Sequence, residues 1–521
     1  MPMRAVLITP ARRFIANRAG LGYQIPLGLV FIGGPLRDAG HAVRLIDNDA
    51  YGWDDRRLAD EVASSRPDCV LLGHTGSTAA HEASLATAQA IKRRLPDVRI
   101  AYGGVFPSHA AVYSLQACAA LDVVVRGEGE ATCVELLAAW EHGTSLEQVD
   151  GITWRDGDAI RTNRWRRPIR CLDAYRPGWE LVDWPRYTLF GVGRSAGMQF
   201  SRGCPLTCTY CGQWMFWKKW RHRSPENFVA ELRTLAEQYG VKIVWLADEN
   251  FAASREVVIE VLQQLIAADL GLSLNINMTA ADVVRDADIL PLYKAAGVDY
   301  VVMGVETLND AVATAIRKNN PFAVSREAVR LLREHKIISL TNIIYGLEDE
   351  TVGTLLTKFC RLCQLDSDIL NAVYLTPHFW TADGRATDPH DIIQTDMSRW
   401  TYRNQVIAIR RLAPWLLFAG VKLTEGLFHL RPRALKRLFW GNDQRVRRIL
   451  RASLAVGVRV VLAEVAEFLF ATKFSPHGAL DRLPGAPERR SRPIRRPSPS
   501  KRPKRREPVL AAGVSTAIQA G

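Results

Sequence analysis

Phe200-Ser-Arg-Gly-Cys204-Pro-Leu-Thr-Cys208-Thr-Tyr-Cys211-Gly-Gln-Trp214 puts three cysteines into eight positions of a 521-residue chain that has nine in all. The spacing is C-x3-C-x2-C. Cysteine thiolates hold iron–sulfur clusters, and each iron of a cubane takes its own ligand. Three local thiolates with no fourth nearby leave one iron open to a substrate or cofactor, whereas an electron-transfer site is normally closed. A zinc site wants two well-separated ligand pairs, which this loop does not supply. A disulfide would strand an odd thiol, and unrelated cysteines would not gather at this density. The loop therefore reads as the ligand set of a [4Fe–4S] cluster.

Around the loop the pattern is strand–helix repeated. Strand one ends in the cysteines, and Ser224-Pro-Glu-Asn opens a helix with a capping serine and proline in the first turn. Strands follow at 241–247, 272–278, 300–304, 340–346 and 372–376, ending in Asp248-Glu249-Asn250, Val305-Glu306, Gly346-Leu347-Glu348 and Thr376-Pro377. Six such units predict a partial (β/α)6 barrel with its polar residues at the carboxyl ends facing the site. As bare sequence each acid can equally be a solvated loop residue.

The loop and its barrel resemble the radical SAM superfamily. There the open iron is chelated by the amino and carboxylate groups of S-adenosylmethionine, and one-electron reduction cleaves the sulfonium to a 5′-deoxyadenosyl radical. The resemblance implies that Cys204, Cys208 and Cys211 are metal ligands. It assigns Asp248 and Glu249 to the amino-group region, Glu306 to the ribose, Gly346 to the adenine-side strand, and Tyr210 to packing near the adenine. It also implies an external one-electron reductant.

Upstream, residues 4–142 alternate short apolar strands with helical stretches of ten to fifteen residues, which argues for a doubly wound parallel sheet. Glycine-rich turns follow its strands: Gly73-His74-Thr75-Gly76, Gly103-Gly104, and Arg126-Gly127-Glu128-Gly129-Glu130. Ligands on such sheets bind beyond the carboxyl ends of the strands. No G-x-G-x-x-G follows strand one, which disfavours a nicotinamide site. Any one of these glycines could serve only a tight turn. Ahead of a radical domain, the set resembles the cobalamin-binding domain of B12-dependent radical SAM enzymes, and implies His74, Thr75, Gly103, Gly104, Gly127, Glu128, Gly129 and Glu130 as cobalamin contacts. Some such domains carry D-x-H-x-x-G; here Asp47-Asn48-Asp49-Ala50-Tyr51-Gly52 has aspartate where the histidine would sit, so no histidine is expected below the cobalt.

The expected organisation is a Rossmann-like cobalamin-binding domain (1–142), a connector with a hairpin about Asp156-Gly157 (143–196), the radical SAM domain (197–390), a helical region (391–475) and a basic tail (476–521). The net charge is +14, and the tail, with eleven Lys/Arg against three Asp/Glu, holds more than half of it. Rich in Pro, Arg and Ser, it is expected to be disordered. It lacks interleaved aromatics for base stacking, so no nucleic-acid partner is expected, and solvent or acidic lipid is favoured. No signal peptide is expected at the amino terminus. The apolar stretch 452–474 is broken by Arg459, Glu464 and Glu467, which argues for packing on the barrel or lying on a membrane surface. Unpaired cysteines fit a reducing, cytoplasmic compartment. Cys360 and Cys363, three apart on a helix face with no partner pair, are expected to be buried thiols, with an auxiliary cluster as the alternative. Thr376-Pro-His378-Phe-Trp380 is expected to line the site, and its aromatics suit a large flat or apolar small-molecule substrate.

This order of domains resembles class B radical SAM enzymes, and within them the anaerobic magnesium-protoporphyrin IX monomethyl ester oxidative cyclase and P-methylase group. The resemblance runs through Cys211-Gly-Gln-Trp-Met-Phe-Trp217, Leu246-Ala-Asp-Glu249, 328–334, Tyr345-Gly-Leu-Glu-Asp-Glu-Thr351 and Thr376-Pro377. Thr279 departs from it, standing where arginine is expected. Oxidative cyclase chemistry, C- or P-methyl transfer, and a non-catalytic cobalamin sensor remain as alternatives. The intact cysteines count against the last.

Overall fold

The computed structural model describes residues 2–11, 24–73, 78–189 and 193–487. Its compact body is Met1–Ala486. The turn with His74 and Thr75, and the basic stretch from 488 onward, lie outside the described residues.

The first sheet contains β1 (Arg4–Thr9), β2 (Ala42–Asp47), β3 (Cys69–Leu72), β4 (Arg99–Gly103) and β5 (Val123–Val125), all parallel, in the order β2-β1-β3-β4-β5. β1 is buried from Ala5 onward, as a central parallel strand covered on both faces must be. Helices α1 (Leu27–Asp38), α2 (Asp55–Ser64), α3 (His81–Arg94) and α4 (Glu130–His142) supply the cover. The Asp54 side chain caps α2 by accepting from the Arg57 N–H at 2.8 Å.

The hairpin of the expected connector belongs to this sheet. β6 (Ile152–Asp156) pairs antiparallel with β5, and β7 (Ala159–Thr162) with β6, so the sheet continues to residue 162. Alternation alone shows a hairpin; it does not show which edge the hairpin will cover.

The second sheet carries a short antiparallel edge, β8 (Thr188–Leu189), on β9 (Gly193–Met198). After a two-stranded ribbon of β10 (Ser201–Arg202) and β11 (Arg221–His222) come β12 (Ile243–Leu246), β13 (Ser273–Met278), β14 (Val298–Glu306), β15 (Ile338–Tyr345) and β16 (Ile369–Tyr374). β9 and β12–β16 are the six expected parallel strands, in chain order, and no pairing joins β16 back to β9 among the described residues. The barrel is open. Helices α5 (Pro225–Glu237), α6 (Arg255–Ala268), α7 (Phe322–Glu334) and α8 (Val352–Leu365) are among those that pack on it. Ser224 caps α5 as expected, accepting from the Asn227 N–H at 3.2 Å.

Helices α9 (Pro414–Leu430), α10 (Pro432–Trp440) and α11 (Gln444–Phe470) close the described chain; residues 400–412, expected to be helical, are mostly irregular. No helix among the described residues is long and apolar enough to cross a membrane. Two expectations need correcting. Cys360 is exposed and Cys363 half-buried, so neither is a core thiol. Residues 476–486 belong to the body: Leu483 joins Ile392, Trp400 and Val406 in a small core, and His477 bonds Asp391 at 2.9 Å.

Candidate active site

The cysteine loop is clamped at its neck by the β10–β11 ribbon, where Arg202 faces Arg221. Gly203 lies there at φ +89°, and a Cβ on it would fall 2.5 Å from the Lys219 carbonyl oxygen. Further along, the Thr209 N–H donates to the Ile316 carbonyl at 3.1 Å, and the Trp214 indole to the Cys208 carbonyl at 3.2 Å. Trp380 donates to the Gly212 carbonyl at 3.3 Å.

Burial pushes the Cys204 thiol up to about 11 and the Cys211 thiol up to about 12; it also raises Cys208. Ligation must therefore expel protons. Among the described residues no three His, Cys, Asp or Glu converge tightly enough to hold a single metal ion. A cluster takes one thiolate per iron, so its three ligands need not converge on a single point.

Beside the thiols lies a buried charged group. β14 shifts register between Gly304 and Glu306, and Glu306 has φ +68°, a conformation rare outside glycine. Its carboxylate is 3.7 Å from the Lys318 ammonium and accepts from the Tyr210 hydroxyl. Burial pushes Glu306 up, and Lys318 and Tyr210 oppose it. Burial presses Lys318 to lose its proton, but Glu306 and the three nearby cysteines outweigh it and hold the ammonium above its ordinary value.

Asp248 and Glu249 part company. Asp248 is buried and accepts from the Phe200 N–H at 3.1 Å, the Ser201 N–H and the Ser201 hydroxyl. It ties the end of β12 to the root of the cysteine loop, with both oxygens engaged there, whereas the expected amino-group region calls on it beside Glu249. Glu249 lines the main cavity and accepts from the Trp217 indole at 3.2 Å. Burial pushes both carboxyls up to about 7. Gly346 (φ +93°) lines a second cavity of about 280 Å3, with Tyr345, Glu348, Tyr374 and the 405–410 segment.

The main cavity, about 290 Å3, lies between the two sheets. One wall is the carboxyl ends of β1, β3, β4 and β5, including the expected Gly103, Gly104, Gly127, Glu128, Gly129 and Glu130; the other includes Gln199, Arg202, Phe216, Trp217 and Glu249. It sits where strand order reverses, the usual ligand crevice of such sheets. Its lining is mostly apolar with a few convergent polar groups, as a large cofactor requires.

The two glutamates are not free to meet a ligand with their charges. Arg202 donates to Glu128 at 2.8 Å and to Glu130 at 2.5 Å, and Arg221 donates to Glu128 at 2.9 Å. The side chains of Arg202, Glu128 and Glu130 are 6%, 6% and 5% exposed. The acids of the glycine turn thus bind the neck of the cysteine loop. Arg126 likewise holds the hairpin, donating to the Ile152 carbonyl at 3.0 Å. The Asp47–Gly52 stretch turns toward the connector, with Tyr187 donating to Asp47 at 2.7 Å.

His378 is also occupied, against Thr78 and Tyr402 at 2.9 Å each, and stacks on Trp380. Phe379 and Trp380 pack with Phe106 of the first domain. This corrects the expectation of an aromatic loop open to substrate: these rings buttress the cysteine loop. Lys318, Arg202, Arg221 and Trp217 escaped the sequence reading. Arg202, two residues from Cys204, and Trp217, which ends the Cys211–Trp217 stretch, stood in segments already quoted; Lys318 and Arg221 did not.

The B12 binding domain family matches residues 15–137, and the radical SAM superfamily residues 198–357. An anaerobic magnesium-protoporphyrin IX monomethyl ester cyclase of Synechocystis sp. is 38% identical over 91% of this chain and 95% of its own length. A hopanoid C-3 methylase of Methylococcus capsulatus is 26% identical over 70% of each. Among solved structures, the radical S-adenosylmethionine methyltransferase TsrM from Kitasatospora setae, with cobalamin and [4Fe–4S] cluster bound, superposes at a TM-score of 0.65 with 15% identity, covering 88% of this chain and 99% of that one. The cobalamin-dependent enzyme OxsB gives 0.65 at 16%, over 89% and 72%. The two domains carry with them a [4Fe–4S] cluster, S-adenosylmethionine and cobalamin as cofactors. The chain belongs to the B12-binding radical SAM enzymes, in the family of the anaerobic magnesium-protoporphyrin IX monomethyl ester cyclases.

Proposed function

We propose that this enzyme acts on a large, flat, apolar tetrapyrrole ester, as its cyclase relatives are named for doing. The observation that carries the reading is the 38% identity to a named cyclase, which extends across nearly the whole of both chains. In this reading Cys204, Cys208 and Cys211 hold the cluster, which supplies the electron for S-adenosylmethionine cleavage, and cobalamin occupies the cavity between the sheets. Lys318 offers its ammonium to the S-adenosylmethionine carboxylate, while Glu306 and Tyr210 form the polar wall beside it. Glu249 faces the cavity, and Asp248 fixes the loop without touching cofactor. Gly346 keeps the end of the adenine-side strand clear of a side chain. Trp380, packed on Phe106, backs the cysteine loop, while Trp217 lines the cavity beside Glu249. The reading includes peripheral contact with a membrane surface, in keeping with an apolar substrate.

A second reading, methyl transfer, is favoured by the 26% identity to a hopanoid methylase. Anaerobically reconstituted enzyme with dithionite, cobalamin and magnesium-protoporphyrin IX monomethyl ester separates them. Ring-closed product with 5′-deoxyadenosine and no S-adenosylhomocysteine supports the cyclase. S-adenosylhomocysteine with a methylated product supports the transferase. No turnover of the tetrapyrrole sinks the first reading.

A further inference from the structure

Helices α9 and α11 run antiparallel and touch through the Phe418–Phe468 stack, 4.0 Å between centroids, and through Lys422, which bridges Glu425 and Glu464. On each helix the exposed residues begin roughly a quarter to a third of a turn round from that contact, in the same rotational sense, at about 100° per residue. For antiparallel neighbours the same sense means the same side. The two stripes therefore form one face, turned away from the core residues Leu417, Val421, Val456 and Ala463.

That face is apolar to a degree a soluble surface does not need. Trp415 is 61% exposed, Leu423 62%, Leu462 64%, Leu469 66% and Phe470 86%. α10 adds Trp440 at 72%. Contiguous exposed apolar surface with a polar border marks an interaction site.

The border is of one sign. Between 414 and 470 the four acids are Glu425, Asp443, Glu464 and Glu467. Three are buried, and Asp443 is half-buried capping α11. The exposed charges are basic, among them Arg433, Lys436, Arg448 and Arg459. A two-fold contact between copies would set this basic border against itself. A flat anionic surface with an apolar interior complements it throughout: rings and leucines enter the acyl boundary, and the basic residues meet headgroup phosphates.

We propose that the α9–α11 face is a docking surface for an anionic lipid bilayer, lying on one leaflet without crossing it. This deepens the peripheral contact included in the functional reading, but it rests on the face and not on the substrate's identity.

The test uses the reconstituted full chain and sedimentation with vesicles of phosphatidylcholine alone or of equal parts phosphatidylcholine and phosphatidylglycerol. Binding is expected to the mixed vesicles, at least about tenfold weaker to phosphatidylcholine alone, and weakened by salt. The double variant Leu423→Glu/Leu462→Glu should lose about tenfold in binding while keeping S-adenosylmethionine cleavage and its thermal transition. Arg433→Gln/Lys436→Gln/Arg448→Gln/Arg459→Gln should lose the preference for the anionic lipid. Undiminished binding of the double variant would overturn the proposal, because attachment would then lie elsewhere, as on the basic tail. So would a solution dimer that the same two substitutions dissolve, because the face would then belong to a second copy. Failure to turn over a tetrapyrrole leaves this result untouched.

Discussion

Lys318 and Glu306 stand where neither charge is stable alone, each about nine-tenths buried beside three thiols. Removing one partner of a buried pair strands the other at a cost of about 3–5 kcal/mol. Lys318→Met should therefore destabilise the protein by about that much in urea unfolding under argon, and Lys318→Met/Glu306→Gln should recover most of it. If the double variant is no better than the single, the two groups are not a pair. Asp47 offers a pH readout away from the metal site. Burial raises its carboxyl from 3.8 to about 6, against the hydrogen bond from Tyr187. The folded state thus holds this proton more tightly than the unfolded chain. The associated stability is present below pH 3.8 and is lost as pH rises through about 6. Asp47→Asn should flatten that slope and, above it, gain up to about 3 kcal/mol; denaturant midpoints across the range check this. Glu306 was legible because strand ends of a barrel face the site. Lys318 was not, since no pattern in Arg317-Lys-Asn-Asn320 says that this turn, at φ +56° and +49° on either side of the lysine, folds back on the cysteines.

Supersecondary elements meet most tightly where the Glu128–Glu130 turn grips the ribbon below Cys204. One guanidinium serves two carboxylates, a geometry that lysine's point charge does not reproduce. Arg202→Met should cost about 3–5 kcal/mol and lower both cobalamin and iron content. Arg202→Lys should recover only part, with absorbance titration and iron analysis as the measures. Equal cobalamin uptake by all three proteins would mean that the network is only an ion pair within the fold. The glycine after the third cysteine belongs to the same scale. A Cβ on Gly212 would lie 2.6 Å from the Trp380 indole nitrogen, so Gly212→Val should displace the wedge that backs the loop and reduce iron per chain. The βα alternation and the cysteine loop were readable because period and spacing are local. The arginine–glutamate network joins residues more than seventy positions apart. The same turn that reads as a cofactor motif is half cofactor wall, through its glycines, and half fastening, through its acids.

At the scale of the molecule, the cavity is owned by neither sheet. Its walls come from residues 9 to 133 on one side and 199 to 249 on the other. A ligand there contacts both domains, and binding to the folded state alone stabilises it by about 2.7 kcal/mol at a hundredfold excess over Kd. Hydroxocobalamin should therefore raise the melting temperature of the intact chain as one transition. Hydrogen exchange should slow together in the glycine turns at 103–104 and 127–130 and in the loop at 213–217, although the latter lies in the other domain. The coupling has a physical route, because Arg202 and Arg221 join the glycine turn to the neck of that loop. Slowed exchange confined to the first domain would place the cofactor on the outer side of its sheet, and the cavity between the sheets would then have to hold substrate instead.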